Sequence, residues 1–469
     1  MRRTFQLTLL SAALLCVTAP IAGASRWIRV TSSGGITDQA AVARTADGTL
    51  HVVWAPHPPG GGLNELLTDT ISPQGHLGPS TTVQSGWVGI GNPEIAVRSD
   101  GSLVVVAGAT RSEDPIETIK NQALWSSPDR GATWTLFPTD IANGGDFANS
   151  LGLALGPDGT TPFTSWTTTD GIFVHRGTLA VVPPSNLQTA NGWNCCGYDP
   201  GLALDPASQQ PVIAWYSNAS GHNGIYAQPL DSTSAAPIGV PMLMPGSQTG
   251  GQSIQPDERT EIAARTGSGL YVAAAGGYPD TTRALVWRLG AGSSMTVGSD
   301  NHGLARVGIA GDPRGRLWAF WVSRDPGGDV LRVRRSNATV TRWGTIVTVR
   351  PPAGYSQSWN LSGNAQAGLL DMLGAFTVNG STATWDAQIL PGLSISAKGH
   401  HGGKLIVTVS DAGSPVSGAR VRVGGRMART NHAGVARLVP GIGAEGRTVR
   451  VTASHSGYSS ASAQVHLPR

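Results

Sequence analysis

Residues 92–109 read NPEIAVRSDGSLVVVAGA. Ile95-Ala96-Val97 and Leu103-Val104-Val105-Val106 are strand-forming runs, and the Asp100-Gly101 pair between them signals a hairpin, because glycine takes the positive φ that a tight turn needs. The pattern returns six more times: TDQAAVARTADGTLHVVWA (37–55), ANSLGLALGPDGTTPFTSWT (148–167), YDPGLALDPASQQPVIAWYS (198–217), RTEIAARTGSGLYVAAAGG (259–277), LARVGIAGDPRGRLWAFWVS (304–323) and NLSGNAQAGLLDMLGAFTV (360–378). A recurrence every ~45 to 60 residues marks an array of repeated supersecondary units. Two more strand-like runs follow the hairpins, at 63–72 and 80–84, at 122–127 and 133–137, and at 330–335 and 341–349. Four strands per unit in seven units predict an all-β, seven-bladed β-propeller. The seventh unit has a third strand at 382–390 but reaches Pro391-Gly392 without a fourth. Residues 26–31 (RWIRVT) resemble the outer run 342–347 (RWGTIV), so the N-terminal strand is predicted to complete the last blade and cover an open sheet edge.

Composition agrees with this architecture. The 469 residues include 63 Gly and 31 Pro, which excludes a long-helix protein, and 40% apolar with 13% charged residues excludes wholesale disorder. Met1-Arg2-Arg3, the apolar run 7–17 and the small residues Ala22-Gly23-Ala24 read as a secretory signal peptide over 1–24. A mature chain starting at Ser25 is expected to be secreted and monomeric. Arg2-Arg3 also suits twin-arginine export, the alternative route. Leu15 before Cys16 argues against a lipid anchor, and no later apolar run approaches the ~20 residues that span a bilayer.

Charge divides the chain. Residues 25–392 carry 21 basic and 27 acidic side chains, whereas 393–469 carry ten basic and two acidic. Texture changes at the same place, so the expected domains are a propeller at 25–392 and a β-sandwich at 393–469.

Ser127-Pro128-Asp129-Arg130-Gly131-Ala132-Thr133-Trp134 matches the Asp-box S-x-D-x-G-x-T-W at Ser127, Asp129, Gly131, Thr133 and Trp134. Here the chain resembles the sialidase-like (BNR-repeat) propellers over roughly 25–392. The resemblance implies a structural turn between outer strands, with the Asp129 carboxylate accepting backbone N–H bonds and Trp134 packing between blades. It also implies, for an active member, three arginines, a Tyr–Glu nucleophile pair and an Asp acid. Arg306, Arg259, Glu261 and Tyr355 outline part of that set. The family's N-terminal Arg-Ile-Pro run is absent, and seven units depart from the six blades of sialidases. Pro415-Val416, Gly418-Ala419-Arg420-Val421, Thr430, Gly434 and Gly457-Tyr458 make 393–469 similar to the immunoglobulin-like or carboxypeptidase-regulatory-like sandwiches. His400-His401 falls in the predicted turn of its first hairpin.

The innermost strands of a propeller begin at one mouth of a central channel. Asp38, Glu94, Asn149, Asp199, Glu261 and Arg306, with Asn360 or Asn364, stand at or near those starts and form the candidate ligand site; Glu94, Asp199, Glu261 and Arg306 are the candidates for catalysis. Converging carboxylates can bind a cation or divide acid and base roles between them. They can equally cap strands and solvate the channel. No resident cofactor is expected. Cys195 and Cys196, the only cysteines after the signal, can form a strained vicinal disulfide, pair between chains or stay free; the disulfide is preferred. Trp193 and Tyr198 flank them and join the candidate site. Trp54, Trp166, Trp215 and Trp321 recur at one place in the second strand and are expected in inter-blade cores, whereas Trp87, Trp193 and Trp359 lie off that register and are expected at the surface. No G-x-S-x-G, Walker or dinucleotide motif occurs.

The expected function is extracellular binding of glycan or cell-surface polymer at the channel mouth. The alternative is a sialidase-like glycoside hydrolase using mouth carboxylates, and the third reading is a structural surface protein. Arg420, Arg422, Arg426, Arg429, Arg437, Arg447 and Arg450 would, on a shared face, attach the C-terminal domain to anionic cell-envelope material. With Tyr458 the single aromatic there, specific nucleic-acid recognition is not expected.

Overall fold

The computed structural model describes residues 27–31, 36–37, 40–57, 64–110, 121–138, 151–168, 171–177, 185–186, 200–217, 222–248, 260–276, 281–441 and 444–468. All regular elements there are strands or short bridges. Seven four-stranded antiparallel sheets follow in chain order. The first strands, which lie innermost, are Ala41–Arg44, Gly89–Val97, Leu151–Leu155, Gly201–Leu204, Glu261–Ala264, Leu304–Gly311 and Tyr355–Asn364. Each touches the first strand of the next sheet, and the seventh touches the first, so the sheets close into the ring of a β-propeller.

The second strands Leu50–Trp54, Leu103–Thr110, Pro211–Ser217 and Leu270–Gly276 are buried along their whole length. That is why they read as continuous apolar runs: each sheet face packs on a neighbouring sheet, and no side of the strand meets water. Trp54, Trp166, Trp215 and Trp321 are buried in the junctions as their register predicts. Trp87 is not at the surface; it is 7% exposed, with its ring 5.6 Å from Trp125 in the core between sheets 1 and 2.

Ring closure follows the sequence expectation. The seventh sheet is Tyr355–Asn364, Leu370–Val378 and Ser381–Ile389, completed by Ile28–Arg29, with Ile28 opposite Asp386 and Arg29 opposite Trp385. Thr384 N donates to Thr31 Oγ1 at 3.0 Å and Val30 N donates to Thr384 O at 2.9 Å. Trp27 packs edge-on against Phe376, ring centroids 4.8 Å apart. The chain end is thus held by backbone pairing and by apolar burial together.

The Ser127–Trp134 turn joins the third strand of sheet 2, Asn121–Ser127, to its fourth, Thr135–Leu136. Asp129 accepts from Thr133 N at 2.8 Å, from Thr133 Oγ1 at 2.6 Å and from Ser127 Oγ at 2.8 Å, and Gly131 N donates to Ser127 Oγ at 2.6 Å. Trp134 packs on the core between sheets 1 and 2.

Two more four-stranded sheets follow. One contains Ser394–His400, Lys404–Asp411, Ser414–Pro415 and Val435–Leu438; the other orders Arg426–Arg429, Arg420–Val423, Thr448–Ser454 and Ala461–His466. Their inner faces share one apolar core that includes Val407, Val409, Val421 and Val451, which makes them a β-sandwich. His401 to Gly403 form the turn of its first hairpin. The sandwich meets sheet 6 through Asp411 and Ala412, beside Arg316 and Gly344. Those contacts lie at the end of sheet 6 where its first strand finishes.

Candidate functional site: the central channel

Register defines one layer of the ring. Ala41, Glu94, Gly152, Gly201, Glu261, Gly308 and Ser362 each stand opposite the fourth residue of the adjoining second strand: Val53, Val106, Ser165, Ala214, Ala273, Phe320 and Leu373. Five of these seven residues are small because the strands converge here. A Cβ on Gly201 would lie 2.2 Å from Thr260 O, and one on Gly152 would lie 2.7 Å from Pro200 O. Sheets 2 and 5 instead place glutamates at this position. Two carboxylates therefore enter the same layer from sheets three places apart in the ring.

Both glutamates line a cavity of about 230 Å³ to which all seven innermost strands contribute. Its other polar side chains are Ser362, Asn364 and Gln366 from sheet 7, and Gly152, Gly201, Gly311 and Gly363 expose main chain to it. Glu94 and Glu261 are half-buried. Ser362 Oγ donates to Ala40 O at 2.9 Å, tying sheet 7 to sheet 1, and Asn364 Oδ1 accepts from Gln366 N at 3.1 Å. The lining supplies carboxylate and amide acceptors with few cations, since no arginine or lysine lies among its described residues. Such a surface binds hydroxyl-rich neutral or cationic groups better than a carboxylate.

Of the sequence candidates, the structure brings together Glu94, Glu261 and Asn364, but Asn364 ends its strand Tyr355–Asn364 instead of standing near its start. Arg306 does not line the cavity; it lies two residues before Gly308, where the pairing of Leu304–Gly311 with Leu317–Asp325 is interrupted between Ala305 and Gly308, and its φ is +52°. Sheet 2 carries the same irregularity between Gly91 and Glu94, with Asn92 at +46°, so Arg306 corresponds to Asn92 and Gly308 to Glu94. Asp38, Asn149, Trp193, Cys195, Cys196, Tyr198, Asp199 and Arg259 lie outside the described residues, as do the side chains of Trp359 and Asn360. Tyr355 Oη donates to Asp329 O at 2.8 Å and is committed to the edge of sheet 6. Ser362 and Gln366 were not singled out by sequence, although counting each first strand from its turn would have aligned Ser362 with Glu94 and Glu261. Among the described residues, no three His, Cys, Asp or Glu side chains gather at a spacing suited to a metal ion, and no helix is long and apolar enough to cross a membrane.

The chain matches no protein-family model and no curated protein. It is similar in structure to a polysaccharide lyase, an ulvan lyase bound to -[GlcA(1-4)Rha3S]-, with a TM-score of 0.50 and 9% identity over 77% of this chain and 96% of that chain. It is also similar to a protein of unknown function from Dyadobacter fermentans (TM-score 0.48, 10% identity, 79% and 99% coverage) and to an α-L-arabinofuranosidase from Fusarium graminearum (0.43, 13%, 71% and 98%). The likeness to the lyase shows the fold: a β-propeller.

Proposed function

We propose that the protein is secreted and binds a glycan at the mouth of the propeller channel without turning it over. The observation that carries this reading is the layer holding Glu94 and Glu261 inside one cavity, with the amides of Asn364 and Gln366 on the same wall. Carboxylates and amides arranged around an open channel accept hydrogen bonds from vicinal sugar hydroxyls, and the exposed main chain of the ring glycines allows close approach. That the structurally similar ulvan lyase acts on a polysaccharide supports carbohydrate as the ligand class. Residues 25–392 are the recognition unit in this proposal and 393–469 a separate one.

The second reading is glycoside hydrolysis, because two carboxylates lining one cavity are the minimum equipment of that chemistry. A sialidase is the less supported form: its substrate carboxylate calls for an arginine clamp, and Arg306 stands outside the cavity. A glycan array read in parallel with hydrolysis assays on aryl-glycosides, sialosides included, separates the readings. Binding with no turnover is the expected result. Turnover abolished by Glu94→Gln or Glu261→Gln would replace binding with hydrolysis, and silence in both assays would leave a structural protein.

A further inference from the structure

The outer sheet of the sandwich has one face in its core and one in water. Val421, Val423, Val451 and Ala453 point inward and are buried. The alternate residues point outward, and their pairing fixes what shares that face. Arg420 stands opposite Arg429 on one side and Ser454 on the other; Arg422 stands between Met427 and Thr452; Thr452 faces Ser462, and Arg450 faces Gln464. Four guanidinium groups, Arg420, Arg422, Arg429 and Arg450, therefore form a band across three strands. Directly opposed neighbours are about 5 Å apart and alternate residues along a strand about 7 Å.

The four strands of this sheet contain no acidic residue to offset the band. Residues 393–469 contain only Asp411 and Glu445. Asp411 is buried and paired with Arg316 and Arg335, and Glu445 lies outside the four strands. All four arginines are exposed, and among the described residues their hydrogen bonds are Arg429 Nη1 to Gly418 O at 3.3 Å and Arg450 Nη2 to Ser462 Oγ at 3.2 Å. Like charges held this close repel one another in the free protein, and an anionic ligand removes that repulsion.

We infer that this face binds a linear acidic polysaccharide, the arginines taking its anionic groups while the flanking Ser, Thr and Gln side chains bond its hydroxyls. The exposed groups run across adjacent strands and form no enclosed pocket, which suits an extended chain better than a small ligand. The face carries no Phe, Tyr or Trp, its ring side chain being the imidazole of His466 opposite Thr448, and the ring of Tyr458 is engaged 5.7 Å from the Arg335 guanidinium, so base stacking is poorly supplied. The surface is separate from the channel, and either can fail without the other.

The test uses the whole protein and polygalacturonate, with dextran as the uncharged control and duplex DNA as the competing polyanion. Binding to polygalacturonate but not dextran is expected, weakening as salt rises. Replacing Arg420, Arg422, Arg429 and Arg450 together by Ser should weaken it at least tenfold and flatten the salt dependence of what remains by up to about 3 in log–log slope, at about 0.7 per released counterion. Replacing all four by Lys should keep most of the binding, which separates loss of charge from loss of fold. Arg437→Ser, on the other sheet, should change it less than twofold. Unchanged binding in the fourfold Ser variant, absence of binding by the intact protein, or tighter binding to duplex DNA at equal salt would each overturn the assignment.

Discussion

Arg316 reaches across the junction between the propeller and the sandwich to Asp411, its Nη1 donating to Oδ2 at 2.8 Å. Arg335 donates to the same oxygen, and Tyr458 Oη lies 3.4 Å from it. The Arg335 guanidinium also sits 5.3 Å from the Trp318 ring. One buried carboxylate thus bridges two largely buried guanidiniums. Removing it strands both cations, so Asp411→Asn is expected to cost about 3–5 kcal/mol. Denaturant unfolding measures that loss, and limited proteolysis should cut faster near residues 390–393. Wild-type stability together with unchanged cleavage would show that the junction is held by other contacts.

A second buried network lies at the seam that closes the ring. Arg44 of sheet 1 pairs with Asp371 of sheet 7, and Asp386 stands beside them with no side-chain partner for its oxygens. Burial pushes the Asp386 carboxyl up to about 8, the Asp371 charge adding to the shift and Arg44 opposing it. Burial also raises Asp371, outweighing the pull of Arg44. The sign follows directly. Folded Asp386 keeps its proton to about pH 8 while the unfolded carboxyl ionises near 3.8, so stability declines as pH rises between those values and levels off above. Asp386→Asn keeps the neutral shape at every pH. Its gain in Tm over wild type should be near zero at pH 4 and largest at pH 9, and a gain independent of pH would contradict the assignment.

The turn carboxylates titrate in the opposite sense. Hydrogen bonds from the Thr133 hydroxyl and amide and from Ser127 hold Asp129 at about 2, and bonds from Thr45 and Thr49 hold Asp47 at about 2. Bonds from Thr161 and Thr160 do the same for Asp158. Depressed folded values give stability that is present above the ordinary carboxylate range and is lost as pH falls toward about 2. Urea midpoints should fall steeply below pH 4, and Asp129→Asn should make that fall shallower. An identical acid profile in the variant would remove Asp129 from the account.

The propeller was legible because its signal is repeated. Seven hairpins, six of them with a glycine in the turn and the fourth with Gln209 at positive φ instead, and tryptophans recurring in the second strand reflect a local demand repeated from sheet to sheet. The closing strand was legible through the likeness of residues 26–31 to 342–347, although the outer strand of sheet 6 is Val347–Val349 and residues 342–346 lie outside it, with Trp343 making a single bridge to Ser336. The site was legible only in part. Glu94 and Glu261 occupy the ring layer, but neighbouring polar residues were assigned by nearness to a strand start, and Arg306 stands two residues before the layer position that Gly308 fills. Asp371, Asp386 and Asp411 gave no warning, because long-range partners such as Arg44 and Arg316 have no fixed spacing from them in sequence. Trp87 misled: its place outside the repeated register reads as exposure, yet it fills the junction against Trp125.

Packing near the channel gives a further expected outcome. A Cβ on Gly308 would lie 2.1 Å from Phe320 Cε2, so Gly308→Ala forces the ring or the strand to shift. Overpacking of this kind costs about 1–3 kcal/mol, to be read as a drop in the denaturation midpoint. Retained stability would mean that the Phe320 ring yields freely.

The most direct test of the account is calorimetric titration of the protein with the best glycan from the array, repeated for Glu94→Gln, Glu261→Gln and the surface variant Arg437→Ser. Each glutamine variant should weaken binding by about 10-fold or more, the worth of a hydrogen bond to a charged group, with Tm unchanged within a few degrees. Arg437→Ser should bind as the wild type does. Full affinity in both glutamine variants would contradict the account, because it would place the ligand away from the one layer where all seven sheets meet.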